Sequence, residues 1–209
     1  MSIPLPNKGL YVVVTKKFAQ GRTHKEILPA LLKAGVQLIQ LREKEMPKRE
    51  LYKLGLYYRK ETKKAGACFI VNDALDIAMA VDADGVHLGQ DDFPAKIAME
   101  MWKGHIIGIS THSMEEAQTA AKLTPGYINI GPIFQTKTKQ HSSGAIGIEV
   151  FKQITQCLDV PLTVMGGINE SNLDLVLEAG ARRIAMVTGV IAASDIEERA
   201  KSLQERILK

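Results

Sequence analysis

The chain has 209 residues, 45% of them hydrophobic and 24% charged, with a formal net charge of +4. This is an ordinary globular composition, which excludes fibrous repeats and extended disorder, and the length suits one well-buried domain, 1–209, better than two. Lys and Arg are spread over helical stretches such as Arg59 to Lys64 instead of forming a basic arm, which argues against nucleic acid as a partner and suits anionic small molecules.

From the N-terminus onward, short β-rich runs alternate with longer amphipathic ones. A strand is predicted over Leu10 to Thr15 with a helix around His24 to Leu32, then Gln37 to Arg42 with Lys48 to Lys64, Cys68 to Asn72 with Asp76 to Val81, and Gly85 to Leu88 with Pro94 to Trp102. The second half repeats the plan: Ile106 to Ser110 with Met114 to Leu123, Tyr127 to Gly131 with Glu149 to Cys157, Leu162 to Met165 with Asn172 to Ala179, and Ile184 to Val187 with Asp195 to Leu208. Several helices run into glycine before the next strand, at Ala34-Gly35, Ala65-Gly66 and Ala179-Gly180, where a left-handed residue closes a helix. Units of about 26 residues match one step of a small barrel, so the expected fold is α/β, a single (β/α)8 TIM barrel. An open doubly wound sheet is the competing architecture, and it usually places fewer strands in this length.

Cys68 and Cys157 stand far apart without a C-x-x-C or Cys/His ligand spacing. Neither a disulfide framework nor a zinc site is expected, and both read as buried small hydrophobes. There is no apolar leader and no run of about 18 apolar residues, so no membrane partner and a cytoplasmic location are expected.

In a barrel of this kind the chemistry sits at the C-terminal ends of the strands. Gln40, Arg42 and Lys44 alternate, so an extended segment presents them on one face with Leu41 and Glu43 turned away. An amide and two cations on one face suit a diphosphate; the bland alternative is a solvated strand end. Asp73 and Asp92 end the third and fourth strands, and two carboxylates facing one mouth suit Mg2+, the alternative being that one of them caps a helix. Asp91, adjacent to Asp92, is the chemically identical competitor.

The Thr136-Lys137-Thr138-Lys139 stretch lies within a long connection, Phe134 to Ile146, that reads as a lid over a bound anion. Gly166-Gly167 and Thr188-Gly189, after strands seven and eight, offer backbone N–H groups where barrels commonly hold phosphate. His112, after strand five, is either an acid/base residue or structural. His87, inside an apolar strand, reads as core; His24, His105 and His141 have no neighbouring constellation, and Trp102 reads as packing.

Together the motifs Gln40-Leu41-Arg42-Glu43-Lys44, Asn72-Asp73, Gly85 to Gln90 with Asp92, Ser110-Thr111-His112, Gly131 to Phe134 with Thr136, Thr138 and Lys139, and Gly166-Gly167-Ile168 resemble the thiamine-phosphate synthase (thiamine-phosphate pyrophosphorylase) family over essentially the whole sequence. The resemblance implies a transferase that joins hydroxymethylpyrimidine diphosphate to thiazole phosphate, with Mg2+ as cofactor at Asp73 and Asp92. It implies that Gln40, Arg42, Lys44, Asn72, Ser110 and Lys139 bind the pyrimidine diphosphate, while Thr136 and Thr138 bind the thiazole phosphate with the backbone of Gly167, Val187 and Thr188. Arg42, Lys44, Ser110 and Lys139 are the catalytic residues so implied, and a homo-oligomer is compatible with this reading.

The related thiazole tautomerase branch uses a His at the position of His112 and lacks several pyrimidine-diphosphate residues that this sequence retains, so a synthase is the expectation. Two departures from the family pattern are visible: Arg182-Arg183 replaces the usual Asp-Gly before strand eight, on the face away from the site, and Gln140-His141 stands where an Asp commonly follows the lid lysine. The rival classes are a non-catalytic phosphate-binding regulator that keeps the barrel, favoured only if the metal ligands were broken, and another barrel enzyme of phosphorylated substrates, such as a phosphosugar isomerase.

Overall fold

The computed structural model describes residues 3–136 and 144–209. Eight parallel strands close in chain order: β1 Gly9–Val14, β2 Leu38–Leu41, β3 Cys68–Asn72, β4 Gly85–Leu88, β5 Ile106–Thr111, β6 Tyr127–Ile130, β7 Leu162–Met165 and β8 Arg183–Met186. The last pairs with the first, Gly9 opposite Arg183 and Val12 opposite Met186. Among the described residues the helices are α1 His24–Lys33, α2 Lys48–Ala65, α3 Leu75–Ala80, α4 Ala95–Met101, α5 Met114–Ala121, α6 Ile148–Cys157, α7 Leu173–Glu178, α8 Thr188–Ile191 and α9 Ile196–Leu208. The expected TIM barrel is the fold, with element ends displaced by a few residues.

The strands read as near-continuous apolar runs because each is covered on both faces. Side chains of β1 show the split: Leu10, Val12 and Val14 join the layer between barrel and helices, whereas Tyr11 and Val13 join the barrel interior with Leu38, Cys68, Ile70, Tyr127 and Ala185. Helix α2 stops at Gly66, whose left-handed backbone (φ 68°) turns the chain into β3. Trp102 caps α4 and stacks on His105 with ring centroids 4.2 Å apart, as packing.

Two expectations need correction. Cys68 is buried, but Cys157 is exposed at the C-terminal end of α6. The eight expected helices are joined by a ninth among the described residues: the last one expected, Asp195 to Leu208, is α9, and the four-residue α8 stands between β8 and it.

The N-terminal end of the barrel is shut. Ile3 and Leu5 pack on the interior cluster, and the Ile3 N–H donates to Asp84 Oδ1 at 2.6 Å. Asp84 is fully buried; its Oδ2 pairs with Arg59 Nη1 at 2.7 Å and accepts the Phe69 N–H at 2.8 Å. Arg183 begins β8 itself, where its guanidinium donates to the carbonyls of Pro6 and Leu162, and Gln204 Oε1 takes the Leu10 N–H at 2.7 Å. The Arg182-Arg183 departure therefore belongs to this plug, at the opposite end from the strand C-termini.

Candidate active site

At the C-terminal ends of the strands opens a cavity of about 620 Å³. Every described residue assigned to the site by sequence lines it: Gln40, Arg42, Lys44, Asn72, Asp73, Asp92, Ser110, Thr136, Gly167, Val187 and Thr188. Thr138 and Lys139, with Gln140 and His141, lie outside the described residues.

On the β2 side, Gln40, Arg42 and Lys44 face the cavity as their alternation requires. Lys44 Nζ reaches Asp73 Oδ2 at 3.2 Å. Glu43 turns outward and takes the Lys16 N–H at 2.5 Å and His24 Nε2 at 3.0 Å, while His24 Nδ1 meets Tyr58 Oη at 2.8 Å. His24 is therefore part of a buried constellation, contrary to the expectation, and it braces the segment that carries Arg42 and Lys44. Its partners are Glu43, just after β2, and Tyr58 in α2, so nothing local in the sequence announces them.

Asp73 sits just past β3 in a left-handed conformation (φ 59°), a geometry Asp tolerates better than most residues. Its amide donates to the His87 carbonyl at 2.9 Å, which ties the turn to β4. Burial raises the Asp73 carboxyl above the usual range, a hydrogen bond with Asp92 raises it further, and Lys44 opposes both. Asp92 in turn folds back so that its Oδ2 accepts the Gly89 N–H at 2.8 Å; any Cβ on Gly89 would stand 2.7 Å from that oxygen. Asp91 is exposed and outside the cavity lining, so Asp92 is the member of the pair that faces Asp73.

Two opposed carboxyls are a donor pair for a hard divalent cation, with the rest of an octahedron left to phosphate oxygens and water. Among the described residues no larger group of His, Cys, Asp or Glu gathers.

The opposite wall has no carboxylates. Gly166 and Gly167 follow β7, and the segment from Pro132 to Gln135 lies directly upon them: a Cβ on Gly167 would fall 2.7 Å from the Gln135 carbonyl oxygen and 2.8 Å from Phe134 Cβ. Beside them α8 starts at Thr188, with Val187 at its N-cap, so backbone and one hydroxyl form this wall. His112 lines the cavity and its Nδ1 donates to the Gly131 carbonyl at 2.5 Å, which places a proton on Nδ1.

The cavity floor holds what sequence reasoning missed. Tyr11 and Asn129 line it, and so does His87, which is buried as expected of a core residue yet faces the site. Gln40 Nε2 donates to Tyr11 Oη (2.5 Å), Tyr11 Oη meets Tyr127 Oη (2.7 Å), Tyr127 Oη meets His87 Nδ1 (2.9 Å), and His87 Nε2 meets Ser110 Oγ (2.7 Å). The available signal was two tyrosines in otherwise aliphatic strands. No described helix is long and apolar enough to cross a membrane.

A family model described as thiamine monophosphate synthase matches residues 10–190. The chain is 41% identical over 196 residues to a thiamine-phosphate synthase of Pelotomaculum thermopropionicum, covering 93% of this chain and 90% of that one. It is also 41% identical over 199 residues to the thiamine-phosphate synthase of Archaeoglobus fulgidus, covering 95% and 93%. A solved structure of a thiamine phosphate pyrophosphorylase from Pyrococcus furiosus superposes with a TM-score of 0.88 at 35% identity, covering 95% of each chain. With the match spanning the strands that build the cavity, this chain belongs to the thiamine monophosphate synthase family.

Proposed function

We propose that this cavity joins 4-amino-2-methyl-5-hydroxymethylpyrimidine diphosphate to thiazole phosphate, giving thiamine phosphate and diphosphate. The observation that carries the reading is the division of one cavity into two anion sites of different chemistry. One wall has the Arg42 and Lys44 cations beside the Asp73/Asp92 pair; the other is built from Gly166-Gly167 and Thr188 without a carboxylate. A diphosphate with a divalent metal suits the first, and a monophosphate suits the second.

Gln40, Asn72 and Ser110 hold the pyrimidine, with Arg42, Lys44 and Lys139 on its diphosphate. Thr136, Thr138 and the backbone of Gly167, Val187 and Thr188 hold the thiazole phosphate. Asp73 and Asp92 hold Mg2+, which when bound neutralises charge on the leaving diphosphate. Such an ion would also offset the burial, and then the Asp92 contact, that raise the Asp73 carboxyl.

The reaction needs no protein nucleophile. The methylene C–O bond breaks, its electron pair leaves with the diphosphate, and the ring amino group donates into the resulting pyrimidine cation. The thiazole nitrogen lone pair then forms the new C–N bond. Arg42, Lys44 and Lys139 stabilise the departing charge, Ser110 fixes the pyrimidine, and the shared cavity holds the two rings within reach.

Tautomerase chemistry at His112 would use neither Arg42 and Lys44 after β2 nor the Asp73/Asp92 pair, and their presence supports the synthase. Incubating the protein with both substrates and Mg2+ should yield thiamine phosphate and diphosphate in equal amounts. No product at any Mg2+ concentration would refute the assignment.

A further inference from the structure

The hydrogen-bonded chain on the cavity floor links five strands: Gln40 on β2, Tyr11 on β1, Tyr127 on β6, His87 on β4 and Ser110 on β5. Tyr127 is its centre. It is fully buried, it does not line the cavity, and its hydroxyl joins Tyr11 to His87. Its ring stands edge-on to Tyr11 (centroids 5.9 Å, 87°) and stacks on His87 (5.6 Å, 13°). Gly108, on β5, clears the space: a Cβ there would lie 2.2 Å from Tyr127 Cζ and 2.5 Å from its hydroxyl oxygen.

Each phenol has one proton to donate, and a neutral imidazole has one as well. Burial holds the Tyr11 and Tyr127 hydroxyls far above their ordinary range, so both keep their protons at neutral pH. Gln40 Nε2 is the donor to Tyr11, and each buried proton needs an acceptor, so the links run one way. Gln40 Nε2–H donates to Tyr11, Tyr11 to Tyr127, Tyr127 to His87 Nδ1, and His87 Nε2–H to Ser110 Oγ. At its ends this leaves Gln40 Oε1 as an acceptor and the Ser110 hydroxyl proton as a donor. Reversing one end means reversing every link, since neither a phenol nor a neutral imidazole can donate twice.

We propose that Tyr127 is a positioning and specificity-determining residue: through this one-way chain it fixes the floor as acceptor at Gln40 and donor at Ser110, so the site takes an aminopyrimidine and rejects its oxo counterpart. The inference rests on the synthase reading. An exocyclic amino group gives its hydrogen to Gln40 Oε1, and a ring nitrogen or phosphate oxygen accepts from Ser110. A 4-oxo ring would set a carbonyl against the Gln40 carbonyl, and the buried chain resists the flip that would relieve it.

The test is calorimetric binding of the 4-amino and 4-oxo pyrimidine diphosphates with Mg2+ and without thiazole phosphate, so that chemistry does not enter. The wild type should prefer the amino compound by about tenfold or more, as expected where a polar site meets a mismatched group. Tyr127→Phe keeps the ring and cuts the chain, and the preference should fall to about threefold or less, with the KM for thiazole phosphate unchanged. Tyr11→Phe cuts the chain at the next link and should reproduce the loss, which covers the case of a Tyr127 variant that fails to fold. Preference unchanged in a folded variant, or equal weakening toward both substrates, would overturn the proposal. Absence of turnover by the wild type with both natural substrates would instead refute the synthase reading.

Discussion

Replacing Gly167 with alanine perturbs the wall assigned to the thiazole phosphate without touching a charged group. At φ 66° the backbone is left-handed, which costs an L-residue about 1–2 kcal/mol. The new Cβ would stand 2.7 Å from the Gln135 carbonyl oxygen, 2.8 Å from Phe134 Cβ and 3.0 Å from the Phe134 oxygen. Ordinary carbon contacts lie near 3.5–4.0 Å, so the overlap is with backbone and approaches ~1 Å. Overpacking of this kind adds about 1–3 kcal/mol, for a total of about 2–5 kcal/mol. At about 2–4 °C per kcal/mol for a chain of this size, the melting temperature falls by roughly 4–20 °C. Relief comes by pushing Phe134 and Gln135 outward, which carries Thr136 away from the cavity. The KM for thiazole phosphate should therefore rise by about tenfold or more, equivalent to about 1.4 kcal/mol, while that for pyrimidine diphosphate changes by less than about threefold. Steady-state kinetics with each substrate varied in turn, beside a thermal melt, reads both effects. An alanine variant with wild-type melting temperature and wild-type KM for thiazole phosphate would refute this account of the glycine wall.

Mg2+ at ten times its dissociation constant should stabilise the protein by about 1.4 kcal/mol and raise the melting temperature by about 3–6 °C, and Asp92→Asn should abolish the shift. A shift that survives in the variant would place the ion elsewhere. Glu43→Gln removes the carboxylate that takes the Lys16 N–H and His24 Nε2, so the brace behind Arg42 and Lys44 weakens. A rise of about 3–10-fold in the KM for pyrimidine diphosphate with little change for thiazole phosphate is expected, and no change would show the brace to be idle. Glu26 is held below the usual glutamate range by the Thr23 backbone hydrogen bond and then by the Thr23 side chain. Its contribution is present above the ordinary carboxylate pKa and is lost as pH falls through the lowered value. Stability curves of the wild type and Glu26→Gln, separated slightly at neutral pH, should converge on acidification; a gap that widens would reverse the sign of that linkage.

The barrel was legible because parallel strands covered on both faces leave uninterrupted apolar runs, such as Leu10 to Val14, between helices of amphipathic pattern. For the same reason the floor was not legible. A strand buried on both sides shows no polar alternation, so His87 read as core and Tyr11 and Tyr127 drew no notice, and the Tyr11–Tyr127 contact spans 116 residues of sequence. The mouth was easier to read, since Gln40, Arg42 and Lys44 break an apolar run with polar groups at a spacing of two. Helix α8 escaped notice because four residues are too few to show a helical period. His24 was passed over because its partners, Glu43 and Tyr58, lie 19 and 34 residues away.

In the proposed scheme one cavity holds two anions by different means. Calorimetric titration of each substrate separately, with and without Mg2+, tests it directly. Pyrimidine diphosphate should bind strongly only with Mg2+, and Asp73→Asn should remove that dependence; thiazole phosphate should bind with the same affinity whether or not the metal is present. Metal-dependent binding of thiazole phosphate, or metal-independent tight binding of the diphosphate, would contradict the account.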